Sequence, residues 1–107
     1  MTDKLFYNLW LDALEQPNLE MYIGEYGYPD WFDEISKNAG EVISTLTAIH
    51  HVAHLSIKDM LKEANLTHGA FAVKFCIPLR TVENWSAEVN KCPDYTRLLI
   101  ARQLGFL

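Results

Sequence analysis

The chain has 107 residues, half of them apolar and 21% charged, which is the size and composition of one globular domain and excludes a disordered chain. Its formal net charge of −5 excludes a uniformly basic surface of the kind that coats many phosphate-binding proteins. The longest stretch without Asp, Glu, Lys or Arg, Val42 to Ile57, falls short of the roughly 18 residues that a membrane span needs.

In chain order, Leu5, Phe6, Leu9, Trp10, Ala13 and Leu14 recur at three and four spacings within Asp3 to Gln16, the stripe of an amphipathic helix that Pro17 ends. Met21 to Pro29 is aromatic and punctuated by glycine; it is compatible with a short helix followed by a turn. Asp30 stands at an N-cap position with Asp33 three residues on, predicting a helix through Trp31, Phe32 and Ile35 to about Asn38, stopped by Gly40. From Glu41 to about Leu55 the apolar residues Val42, Ile43, Leu46, Ile49, Val52 and Ala53 predict a central buried helix. Ser56 and Asp59 have capping-box spacing before Ile57, Met60, Leu61 and Ala64, so a further helix ends near Asn65. No strand pattern of useful length occurs, and the predicted fold is all-α with six or seven helices.

Charge divides the chain more sharply than hydropathy does. Residues 1–55 hold two Lys against nine Asp and Glu, whereas residues 56–107 hold seven Lys and Arg against five acids. Two regions with different surfaces are expected: an acidic, aromatic-rich helical extension over 1–55, packed on a second region over 56–107. Phe6, Tyr7, Trp10, Tyr22, Tyr26, Tyr28, Trp31 and Phe32 crowd the first region. Most are expected in its core, with any left exposed favouring protein contacts, including a homodimer contact through residues 1–38.

The second region holds the sequence Thr-His-Gly-Ala-Phe-Ala-Val-Lys-Phe-Cys-Ile-Pro-Leu-Arg-Thr-Val-Glu-Asn-Trp-Ser from Thr67 to Ser86. Thr67 caps a helix whose Phe71, Ala72 and Phe75 face inward. Cys76, Ile77 and Pro78 break it, and a second short helix turns Val82 and Trp85 inward. Two helices joined by so tight a break must cross steeply, which makes a helix-turn-helix over about 67–86.

This segment resembles the lambda-repressor-like family of Cro and phage-repressor type helix-turn-helix proteins, also called the XRE family. With His68 as the first position of the motif, the family's apolar core falls on Phe71, Phe75, Ile77, Val82 and Trp85, and its small residue on Ala72. Leu61 to Thr67 looks like the end of the family's first helix and Pro93 to Leu104 like its later helices, so the resemblance covers about 56–104. Cys76 stands where the family usually has Gly, and a positive φ there is expected to cost about 1 kcal/mol. Pro78 stands where Ser or Thr is common.

The resemblance implies sequence-specific binding of double-stranded DNA by a homodimeric transcriptional regulator, with a recognition helix at about 78–86 in the major groove. Leu79, Arg80, Thr81 and Asn84 would face the bases, Arg80 suiting guanine O6 and N7 and Asn84 suiting adenine N6 and N7. Thr67, His68 and Lys91 would reach phosphates. The alternative is a protein-interaction module that keeps the fold without strong DNA binding, DNA-mimicking or antitoxin-like, with its acidic residues 1–55 turned to a protein partner.

Other chemistries are less well supported by the residues. His50 and His54 lie one helical turn apart, but no carboxylate or thiol with ligand spacing accompanies them, so a helix rim rather than a metal site is expected. Cys76 and Cys92 are too few for a disulfide framework and read as free thiols. There is no Gly-rich phosphate loop, paired-carboxylate motif or Ser-His-Asp order. The expectation is a non-enzymatic protein without cofactor or metal, with no membrane partner, and, since Met1-Thr2-Asp3-Lys4 lacks a secretory pattern, a cytoplasmic one.

Overall fold

The computed structural model describes residues 1–27 and 29–107, and all its regular elements are helical: no strand occurs among the described residues. Tyr28 of the aromatic series lies outside them. Eight helices are present among the described residues, one more than the largest number predicted: α1 (Asp3–Glu15), α2 (Leu19–Tyr26), α3 (Phe32–Ile35), α4 (Ala39–Ala53), α5 (Ile57–Ala64), α6 (His68–Phe75), α7 (Leu79–Ser86) and α8 (Asp94–Gln103). No described helix is long and apolar enough to cross a membrane. Packing divides the chain into two compact units, Met1–His54 with Leu107, and Leu55–Phe106.

In the first unit α1, α2 and α3 each pack against α4. Thr2 caps α1 by accepting from the Leu5 amide, and the inward stripe is Phe6, Leu9, Trp10 and Ala13, while Leu5 and Leu14 are half-buried. The stretch from Met21 resolves into α2 because the Asn18 side chain accepts from the Met21 amide and starts a helix. Tyr22 is buried and donates its hydroxyl hydrogen to the Leu9 carbonyl at 2.9 Å.

Two expectations are corrected here. Asp30 does not cap α3; Trp31 occupies that position without a side-chain bond, and the helix ends at Ile35, where Ser36 is extended. Gly40 stops nothing, since it lies in the first turn of α4, where the Asn38 side chain accepts from the Gly40 and Glu41 amides. A strong cap just upstream outweighs the low helix propensity of one glycine in a first turn. Along α4, Val42, Leu46, Ile49, Val52 and Ala53 are buried as expected, but Ile43 is 48% exposed.

His50 on α4 and His54, its C-cap residue, are bound to backbone. Nε2 of His50 donates to the Gln16 carbonyl at 2.7 Å and Nε2 of His54 to the Ala13 carbonyl at 2.6 Å. The last carbonyls of a helix have no partner within it; the Gln16 amide reaches those of Asp12 and Ala13, and the two histidines add donors to Ala13 and to Gln16 itself. Pro17, which follows, has no amide hydrogen with which to do so.

In the second unit, α6 and α5 both pack against α7, over a core that includes Ile57, Met60, Leu61, Phe71, Ala72, Val82, Leu98, Ile100 and Ala101. All four helices of this unit finish the same way. Asn65, Cys76, Glu88 and Gly105 each have positive φ, at 56°, 54°, 60° and 81°. The residue after each is apolar and returns its amide to a carbonyl five residues back: Leu66 to Leu61, Ile77 to Ala72, Val89 to Asn84 and Phe106 to Ala101, at 2.9–3.0 Å. The positive-φ residue itself bonds three back, and the pair of bonds is the Schellman ending, which satisfies carbonyls the helix leaves open. Only Gly105 is the residue type that adopts this conformation freely.

Candidate nucleic-acid interface

The ending at Cys76 is what holds α6 and α7 close together in sequence. Cys76 turns the chain left-handed, and Pro78, with φ −55° and ψ 135°, leads straight into α7 without supplying a side-chain cap. Of the six residues expected in the motif core, Phe71, Ala72 and Val82 are buried, whereas Phe75, Ile77 and Trp85 are half-buried. Phe75 still packs its ring against Phe71, centroids 4.7 Å apart. Three partly wet members reflect the small size of a unit built on eight-residue helices.

With Val82 turned inward, the opposite side of α7 is open. Arg80 and Leu79 are exposed, and Thr81 and Asn84 are half-exposed. Arg80 and Asn84 stand one turn apart and therefore share a face. Neither is held by a side-chain hydrogen bond or ion pair among the described residues, so their donors remain available. Leu79 on α7 and Val73 on α6, 48% and 80% exposed, put apolar surface on the helices either side of the turn.

The three residues expected at phosphates differ in what they can offer. The Thr67 hydroxyl oxygen accepts from the Ala70 amide as the cap of α6 and keeps its own hydrogen to donate. His68, the first residue of α6, is exposed. Lys91 is exposed, but its Nζ lies 3.9 Å from Asp94 Oδ1, which also accepts from Arg97 at 2.9 Å. Its charge is thus partly offset, although so exposed a pair is weak.

Arg97 is the structural residue that the sequence reading passed over. Its guanidinium is buried and donates to the Leu55 carbonyl at 2.8 Å as well as to Asp94. It counts toward the basic balance of residues 56–107 but offers no surface charge. Its placement was detectable, because Arg97 runs into the apolar series Leu98, Ile100, Ala101 with Asp94 three residues before it.

Both cysteines are free. Cys76 is exposed at the turn, whereas Cys92 is buried, and burial pushes its thiol up to about 11, with Arg97 opposing and Asp94 adding to the shift. In the first unit burial likewise pushes the Tyr22 phenol up to about 12, and burial together with the bond to Asp12 raises that of Tyr26. Among the described residues no group of three or more His, Cys, Asp or Glu is placed to hold a metal ion. Comparisons with family models, curated proteins and solved structures find no match to this chain.

Proposed function

We propose that α6, the turn at Cys76 and α7 act as a helix-turn-helix that binds double-stranded DNA, with the N-terminal part of α7 in the major groove. In this reading the protein is a homodimeric transcriptional regulator of lambda-repressor-like type. One observation carries it: Phe71, Ala72 and Val82 are buried while Arg80 and Asn84, one turn apart on α7, face outward with unengaged donors. Arginine offers a fork suited to guanine and asparagine a pair suited to adenine. Residue types with that chemistry on the exposed face of a short helix after a tight turn are what base reading requires.

The protein-interaction reading draws on a different fact. Arg97 is buried and Lys91 lies near Asp94, which leaves fewer open cations on the second unit than its composition suggests, while Val89, Tyr95 and Leu99 leave apolar surface exposed. Titration of fluorescent random duplex at low and moderate salt separates the two. DNA binding through Arg80, Lys74, Lys91 and His68 gives a log–log salt slope shallower than about −6, since each neutralised phosphate contributes roughly 0.9. No binding at low salt would refute the DNA reading, and a steeper slope would mean that a larger basic surface does the work.

A further inference from the structure

The only carboxylate on α7 is Glu83, and it is exposed. Glu83 and Asn84 lie three and four residues after Arg80, which gathers all three on one side of the helix. Among the described residues no Lys or Arg pairs with Glu83. A solvated negative charge beside the two residues proposed to enter the groove of a polyanion weakens binding to every sequence, unless a base gives it a partner. An ionised carboxylate only accepts hydrogen bonds. In the major groove guanine shows it acceptors, and thymine an acceptor and a methyl group, but cytosine and adenine each present an amino donor.

We propose that Glu83 sets the base preference next to the guanine read by Arg80, accepting a hydrogen bond from the exocyclic amino group of cytosine or adenine and rejecting thymine and guanine. This rests on the DNA-reading role of α7. Three residues of helix advance about 4.5 Å, close to the roughly 3.4 Å between successive base pairs. That advance of slightly more than one step places Glu83 over the base pair next to the one that Arg80 reads. The carboxylate trades general affinity for discrimination, which is a specificity device rather than an affinity one.

Site selection from a random duplex pool by the wild type, Glu83→Gln and Glu83→Ala tests this, followed by anisotropy titration of the selected duplex with each base in turn at the position beside the guanine. The wild type is expected to disfavour thymine and guanine there by about tenfold, and the titration shows whether cytosine or adenine is the donor. Glu83→Ala is expected to reduce that preference to within about twofold, keep the guanine preference, and bind random duplex more tightly. Because Glu83 is exposed, circular dichroism of both variants should match the wild type. If both variants bind all duplexes more tightly with every base preference intact, Glu83 is only repulsive and the proposal is overturned, while the DNA reading stands. If the wild type selects no sequence at all, both fall.

Discussion

Replacing Cys76 by glycine should stabilise the protein. Cys76 is held at φ 54° and ψ 41° by the bonds that end α6. For a side chain with a Cβ this conformation costs roughly 1–2 kcal/mol, and glycine escapes that cost but loses about 0.5–1 kcal/mol more backbone entropy on folding. The Cys76 side chain is exposed, so its removal forfeits little packing, and the net gain is about 1 kcal/mol. For a chain of this size that raises the midpoint by about 4–8 °C. Thermal and urea unfolding followed by circular dichroism measure the gain, with Cys76→Ala as the partner variant, since alanine removes the sulfur and keeps the strain. Glycine no better than alanine would refute the strain argument and with it the account of how α6 ends.

Other outcomes follow from burial. Phe71→Ala should cost ~3–5 kcal/mol, as emptying a buried aromatic site does, and Trp85→Ala should cost less in the same urea titration because Trp85 is only half-buried. An aromatic thiol reagent should modify Cys76 within the folded protein and Cys92 only on unfolding, one thiol in the fast phase and a second in denaturant. Stability should fall as pH rises above 9: the unfolded chain releases the Cys92 proton near its ordinary 9 while the folded chain holds it to about 11, and Tyr22 repeats this between 10 and about 12. Cys92→Ala should delay the onset of that loss toward pH 10, which urea midpoints across the alkaline range will check.

In the second unit α5 and α6 were legible because their start signals are local and polar, Ser56 and Thr67 capping as their spacing implies, while Pro78 and Pro93 mark the starts of α7 and α8 without a side-chain cap and Asn65 and Gly105 mark helix ends. Glu88 was not legible, since glutamate carries no preference for a left-handed residue and only the apolar Val89 after it hints at the ending. Asn18 and Asn38 were missed as caps for another reason. Pro17 and Gly40 beside them are stronger punctuation, and the breakers drew the boundaries away from the caps. For the candidate interface, the outward placement of Arg80 and Asn84 follows from helical spacing once Val82 is taken as inward, whereas Leu79, three residues before Val82, and Thr81 enter the set only through the repressor resemblance. Arg97 shows where composition misleads, because a charge on an apolar stripe is counted as surface until its partners, here the Leu55 carbonyl and Asp94, are seen.

The central claim is that the open face of α7 reads DNA bases through Arg80, and selection from a random duplex pool by the wild type and by Arg80→Ala tests it most directly. Arg80 is exposed and without an ion-pair partner among the described residues, so the variant should keep its fold. The wild type should select a site containing a guanine, and Arg80→Ala should lose about 1–3 kcal/mol on that site together with the preference at that guanine. Lys91→Ala, by contrast, should weaken all duplexes nearly alike. An Arg80→Ala protein with unchanged affinity and unchanged base preference would contradict the account.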